Sequence, residues 1–376
     1  MTIDLSTTFM GIQIKNPLII ASSPLTESED AIGKCELYGA GAVIAKSCSS
    51  TRLQKKGYRR CLIDKSGWWA ASTYDREIQY VDDAIKYLSK AVKNTSIPIF
   101  SSVSELTLDP DIWLRTCRLV QDSGVAGIQL DLFYFENIMG EVDFKERFIE
   151  LLYELRKAIT IPIFPKLNIN MPSIYMAEIF EISNIKNVSL LDSISLPAPI
   201  SLDKGGLPKM RHSLNIQKAS LFGAWQYPLT KKYLYDLKVR GISVCAGGGV
   251  QKSDDIIELI LLGAQAVQVA TVIILMGYKK INEFVCDIED YMRKNNIIRI
   301  QDMQGISIPS SIGETIYRDM TVVYNKELCI DCNKCLMQCF CTAIKRVGCD
   351  IVIDKDLCEG CSLCVDMCST KALNCE

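Results

Sequence analysis

Ile242-Ser-Val-Cys-Ala-Gly-Gly-Gly-Val250, with a helix start near Ser253-Asp254 and then Ala266-Val-Gln-Val-Ala-Thr271, is the stretch whose reading decides the fold. A short β-branched run ends in three glycines, an amphipathic segment follows, and a second apolar run closes the unit: strand, turn, helix, strand. Successive glycines let backbone N–H groups approach an anion, and the helix N-terminus behind them favours phosphate. Alone, a triple glycine more often marks a plain tight turn. At the seventh strand of a β/α barrel, with Gln268-Val-Ala-Thr271 as a second rim after the eighth, Gly247, Gly248 and Gly249 stand at a standard phosphate position.

Outward from this stretch the same alternation repeats. Candidate strands fall at 17–22, 41–47, 97–103, 127–133, 161–167, 188–194, 242–246 and 266–270, with helical patterns such as 81–92, 111–122, 144–159 and 254–262 between them. Eight strands alternating with helices predict an α/β fold of the (β/α)8 barrel type, over residues 1–295. The connection 195–229 is too long for a plain loop and predicts an insertion over the barrel mouth. Residues 296–324, with Gly305, Pro309 and Gly313, read as a linker, and 325–376 as a second, small domain.

That small domain carries Cys329-x-x-Cys332-x-x-Cys335-x-x-x-Cys339, repeated 29 residues later as Cys358-x-x-Cys361-x-x-Cys364-x-x-x-Cys368. Tight turns between the first three thiolates aim them at one point, and the fourth arrives from a following helix, usually to serve the other cluster. On that rule Cys329, Cys332, Cys335 and Cys368 hold one [4Fe–4S] cluster, and Cys358, Cys361, Cys364 and Cys339 the second. A pair of zinc sites is the competing assignment, and the triple run twice over disfavours it. The unit resembles a bacterial-type two-cluster ferredoxin domain of α+β type. The proline that usually follows the fourth cysteine is replaced by Phe340 and Ser369, and Cys341, Cys349 and Cys375 read as small buried hydrophobes.

Composition narrows the partners. A net charge of −2 over 376 residues argues against nucleic acid or an acidic membrane surface. Eight of the 17 cysteines are claimed by cluster spacing, so a reducing compartment, the cytoplasm, is expected. No signal peptide is read at the N-terminus. The most apolar run, 256–276, holds Glu258, Gln265 and Gln268 and reads as helix, turn and buried strand, so no membrane span is expected.

Four further segments carry a second resemblance: Leu5-Ser-Thr-Thr-Phe-Met-Gly-Ile-Gln-Ile-Lys-Asn-Pro-Leu-Ile-Ile-Ala-Ser-Ser-Pro24, Gly39-Ala-Gly-Ala-Val-Ile-Ala-Lys-Ser47, Ile161-Pro-Ile-Phe-Pro-Lys-Leu167, and Val244 to Val250 through Gln268 to Thr271. In these the chain resembles the dihydroorotate dehydrogenase family, especially its soluble branch, and the FMN and iron–sulfur half of dihydropyrimidine dehydrogenase. The resemblance implies FMN, with Ala21 and Ser22 beside the flavin, Lys46 and Ser47 at the ring, Lys166 at its N1 edge, and Gly248, Gly249, Ala270 and Thr271 at the phosphate. It also implies a homodimer and a small cyclic substrate exchanging hydride with the flavin. A lysine in or directly after an apolar strand is seldom buried without a partner, which favours the flavin assignment for Lys46 and Lys166 over a surface one.

The chain departs from the family where substrate would lie. Asp131 and Asp192 stand where the family has asparagines, and Tyr134 where it has its catalytic base. The asparagine-rich loop expected near residue 70 is Gly67-Trp-Trp-Ala-Ala-Ser-Thr-Tyr74. An ionised aspartate only accepts hydrogen bonds and would repel the carboxylate of orotate, so a neutral, cationic or donor-rich ring is expected; a protonated Asp131 could still donate. Tyr134 reads equally as a proton donor or as an aromatic wall. Trp68 and Trp69 read as lid or core, the lone His212 as a solvated residue of the insertion, and the basic run 52–60 as a wet face, with docking of an acidic redox partner as its alternative. No Gly-x-Gly-x-x-Gly follows a strand, so electrons from NAD(P)H would enter through another flavoprotein subunit or a soluble ferredoxin. The reading of the chain is an FMN and iron–sulfur oxidoreductase acting on CH–CH bonds; the alternative is an electron-transfer subunit with no substrate of its own.

Overall fold

The computed structural model describes residues 2–52, 61–64, 68–73, 78–136, 138–209, 218–308, 320–348 and 350–375. His212, the basic run beyond Arg52, Gly67, Tyr74, Cys349 and part of the expected linker, 309–319, lie outside them. The chain divides into two units, residues 1–309 and 310–376.

Eight parallel strands close the first unit into a barrel: β1 (Leu18–Ile20), β2 (Ala42–Ser49), β3 (Ile99–Val103), β4 (Gly127–Asp131), β5 (Ile163–Lys166), β6 (Asn187–Ser189), β7 (Ser243–Gly247) and β8 (Ala266–Val269). Each pairs with its neighbours in sequence order, and β8 returns to β1 through Val267 opposite Leu18. The helices between them are built from local signals. In the helix Pro110–Asp122 the Asp109 side chain accepts from the Asp111 N–H at 2.9 Å, Pro110 sits in the first turn, and Trp113, Thr116, Cys117 and Val120 recur on the buried face. Among the described residues no helix is long and apolar enough to cross a membrane.

Alternation along the strands sorts the barrel interior into two layers. The lower layer is apolar: Ile19, Ala42, Ile44, Phe100, Phe164, Cys245 and Ala266. The N-terminal hairpin, Thr7–Phe9 with Ile12–Ile14, inserts Phe9 among them, edge-on to Phe100 at 5.6 Å and to Phe164 at 5.4 Å. Two residues beyond the lower-layer level, four strands turn polar, with Ser102, Gln129, Lys166 and Gln268 all buried, whereas β1 and β7 lead to Ala21 and Gly247. A four-stranded antiparallel sheet roofs this upper end, in the order Ile194–Pro197, Lys218–Phe222, Ala70–Thr73, Cys61–Ile63. The expected insertion is therefore half of a roof whose other half comes from the loop after β2. Residues 297–308, read as linker, pack on the barrel, with Ile300 and Met303 fully buried.

In the second unit two short antiparallel pairs, Val322–Tyr324 with Leu373–Cys375 and Ile344–Val347 with Asp350–Ile353, enclose a small core of Val322, Ile344, Ile351, Cys364 and Leu373. The 29-residue repeat is written into the backbone as well as the cysteines. Left-handed residues recur in pairs, Asp331 (φ 55) with Gly360 (φ 66), Asn333 (φ 60) with Ser362 (φ 59), and Thr342 (φ 54) with Lys371 (φ 56). Such alternation of hand turns successive N–H groups to one side, the arrangement that cradles anionic groups.

Candidate active site

An irregularity in β2 sets up the site. Between β2 and β3 the register advances three residues on one strand (Ala45 to Cys48) against two on the other (Ser101 to Val103). The extra residue is a bulge, and it lets two consecutive side chains, Lys46 and Ser47, face the barrel mouth. The Ser47 hydroxyl donates to the Asp131 carboxylate at 2.7 Å and lies 3.2 Å from the Ser22 hydroxyl, while the other Asp131 oxygen accepts from the Phe133 N–H at 3.0 Å. Asp131 and Lys166 are side-by-side partners at the ends of β4 and β5. The Lys166 ammonium stands 3.5 Å from the Asp192 carboxylate, whose other oxygen accepts from the Ser193 N–H at 2.7 Å. Below this charged layer Gln129 and Ser189 bridge the barrel, Gln129 donating to Ser102 at 3.0 Å and accepting from Ser189 at 3.1 Å.

Burial, and then the Asp192 charge, push the Asp131 carboxyl above its ordinary value of 3.8; Lys166 and the Ser47 hydroxyl oppose the shift without cancelling it. Asp131 thus holds a proton more tightly folded than unfolded. Its contribution to stability is complete below about 3.8 and is lost as pH rises through the higher folded value. Asp131→Asn should therefore gain stability over the parent protein progressively as pH is raised from about 4. Urea midpoints measured across that range check this, and a gap that narrows with rising pH would contradict it.

The main cavity, about 350 Å³, opens at the strand ends and is lined by Ala21, Ser22, Lys46, Lys166, Asp192, Gly248, Gly249, Ala270 and Thr271, with Cys61, Ser72 and Phe222 from the roof. Its volume lies within the usual range of cofactor sites. Gly248 (φ 97) and Gly249 (φ 86) are left-handed. A Cβ on Gly248 would stand 2.9 Å from the Leu191 carbonyl oxygen, and one on Gly249 2.8 Å from the Tyr227 Cα, so only glycine fits either position. Gly247 lies behind them, its carbonyl accepting from the Thr230 hydroxyl at 2.9 Å. A smaller cavity of about 30 Å³ shares Ser22, Lys46, Lys166 and Asp192 with the first and adds Ser47, Gln129, Asp131 and Tyr134. Tyr134 is half-buried, its ring edge-on to Phe133 at 5.0 Å.

The second unit has two small cavities ringed by thiols. One is lined by Cys329, Cys332, Cys335 and Cys368; the other by Cys339, Cys358, Cys361 and Cys364, joined by Cys341. Each ring takes three thiols from one repeat and one from the other. Among the described residues no three His, Cys, Asp or Glu side chains converge closely enough for a single ion; these thiols surround volumes instead.

Thus the structure gathers every sequence-derived barrel residue around the two adjoining cavities except Gly247, which backs the glycine turn. Trp68 is exposed, and Trp69 packs against the small core of Ala71, Ala198 and Ala219 in the roof. Cys341, read as a buried hydrophobe, is only half-buried and lines the thiol ring, its sulfur 3.6 Å from that of Cys339. Sequence reasoning missed Gln226, whose amide donates to the Asp192 carbonyl at 2.7 Å, and the buried Ser102 and Gln129. A signal for the last two was present: each stands two residues beyond a bulky or close-packed lower-layer position in its strand.

A parallel barrel with charged strand ends under a roof, in one chain with a thiol-ringed domain, defines the class of iron–sulfur oxidoreductases. Residues 4–292 match the family model of dihydroorotate dehydrogenase, and 351–374 that of the 4Fe-4S binding domain. The chain belongs to the dihydroorotate dehydrogenase family, an oxidoreductase family acting on CH–CH groups. It is similar to the dihydroorotate dehydrogenase B (NAD(+)) catalytic subunit of Thermoplasma acidophilum, 25% identical over 309 residues, 81% of this chain and 99% of that protein. It is also similar to the NAD-dependent dihydropyrimidine dehydrogenase subunit PreA of Escherichia coli, 21% identical over 359 residues, 90% and 86% of the two chains. A dihydroorotate dehydrogenase from Eimeria tenella, solved with ferulenol, shares the fold at a TM-score of 0.66 and 14% identity, over 81% of this chain and 89% of that one.

Proposed function

We propose that the main cavity holds FMN, that the two thiol rings hold two [4Fe–4S] clusters, and that the enzyme interconverts a small ring between its CH–CH and C=C forms. The observation that carries this is the pairing, in one cavity, of a glycine turn no side chain could occupy, after β7, with the buried Lys166 two strands away at the end of β5. The backbone at Gly248 and Gly249 and the Thr271 hydroxyl would hold the phosphate; Lys166 would lie against the ring, where a fixed ammonium favours the electron-rich state. The crossed thiol rings and their paired left-handed turns suit cubane ligation. When bound, FMN supplies hydride exchange with substrate and one-electron exchange with clusters.

The smaller cavity gives the substrate its character. Asp131 and Asp192 present carboxylates, and Asp131 already takes two protein donors, so an incoming carboxylate meets like charge while ring N–H groups meet acceptors. The substrate is accordingly an uncharged ring bearing N–H donors, of the dihydropyrimidine kind, rather than dihydroorotate. Tyr134 holds the proton exchanged with its ring carbon. The far-side electron partner is a soluble ferredoxin or an NAD(P)H-linked flavoprotein, and the chain works as a homodimer.

The test is anaerobic purification followed by visible spectroscopy. A flavin band with broad iron–sulfur absorption is expected, and dihydrouracil or dihydrothymine should bleach the flavin where dihydroorotate does not. Bleaching by dihydroorotate alone would overturn the substrate assignment; a coloured protein bleached by none of the three would leave an electron-transfer subunit instead.

A further inference from the structure

The two thiol rings are copies of one design, and they differ at the position two residues beyond the fourth cysteine. In the second repeat that position is Thr370, whose hydroxyl lies 3.7 Å from the Cys368 sulfur. In the first it is Cys341, whose sulfur lies 3.6 Å from that of Cys339. The backbone is the same in both, since Thr342 and Lys371 make matching left-handed turns. Both Cys341 and Thr370 line their own ring's cavity. Among the described residues, one ring therefore has five thiols around it and the other has four.

We propose that Cys341 is an alternative fourth ligand for the cluster in the ring of Cys358, Cys361 and Cys364, able to replace Cys339 on the same iron. The proposal rests on the two-cluster reading above. In the exchange the iron–Cys339 sulfur bond breaks and an iron–Cys341 sulfur bond forms, the Cys341 thiol proton passes to the departing Cys339 thiolate, and no electron moves. The sulfurs are already in contact, so a side-chain rotation suffices and the fold of the unit is kept. At the matching place beside the other cluster stands Thr370, whose hydroxyl is a poor ligand for iron that thiolate otherwise holds.

Four variants of the full chain, Cys339→Ala, Cys341→Ala, the double Cys339→Ala/Cys341→Ala and Cys368→Ala, test this by iron and acid-labile sulfide per chain and by electron paramagnetic resonance. Circular dichroism confirms that each is folded. Cys339→Ala and Cys341→Ala should each keep the parent's iron and sulfide, while the double variant and Cys368→Ala each lose about half, on the rule that each cubane needs four ligands. Loss in Cys339→Ala equal to that in the double variant, or a three-iron signal in Cys339→Ala, overturns the proposal. A parent protein with iron for only one cluster overturns the two-cluster reading itself, a result recognisable before any variant is made.

Discussion

A Lys166→Met protein should bleach its flavin with reduced pyrimidine about 10²–10³-fold more slowly than the parent, the loss expected when a preorganised charge is removed from a developing anion. Lys166 is 7% exposed and is the ammonium held between the ends of β4 and β6, beside Asp131 and 3.5 Å from Asp192. Methionine keeps the length and apolar stem of the side chain and deletes only the charge. If that charge acts on the flavin proposed for the cavity, the two-electron potential should fall by ~60–90 mV, the same free energy expressed at ~30 mV per 1.4 kcal/mol. The substitution also leaves two carboxylates facing one another, at a stability cost toward the low end of the ~3–5 kcal/mol seen when a buried pair loses one partner, because the Asp192 side chain is still 18% exposed. Rapid-mixing bleaching and a spectroelectrochemical titration read the two effects apart from stability. An unchanged potential with an intact flavin would remove Lys166 from the ring.

Gly249→Val should yield a folded chain that retains its iron and has lost its flavin. Two penalties meet at this residue. Its φ of 86 is one that side-chain-bearing residues adopt at a cost of roughly 1–2 kcal/mol, and its Cβ would stand 2.8 Å from the Tyr227 Cα, which belongs to helix backbone and cannot swing aside. The chain must move outward, into the space assigned to the phosphate. Gly241→Ala isolates the first penalty, because Gly241 has φ 74 but nothing within 4 Å of an added Cβ. That variant should lose about 1 kcal/mol of stability and keep its full flavin absorbance. Flavin retained at parental stoichiometry in Gly249→Val would rule out the glycine turn as the phosphate site.

Much of this architecture was legible because its determinants are local. The barrel strands announce themselves as β-branched runs, and all eight overlap the expected segments, with β2, β6 and β7 running one or two residues past them. The spacing marks the eight thiols, and the crossed rings match the rule for such paired runs, in which the fourth cysteine serves the other cluster. What was not legible depends on contacts distant in the chain. The roof joins residues 61–73 to 194–222, and nothing in either stretch names its partner. The bulge that turns both Lys46 and Ser47 inward is a register event between β2 and β3, invisible in an apolar run. The expected linker began too early for a similar reason: Ile300 and Met303 look like ordinary loop residues until the barrel surface they cover is known.

The aromatic plug formed by Phe9, Phe100 and Phe164 has one more effect. Among the described residues it fills the lower end of the barrel, so the charged layer faces the upper end, beneath the four-stranded roof. Substitutions on the roof at Cys61 or Phe222, which line the cavity from above, should then alter how molecules enter and leave while the strand-end charges stay in place.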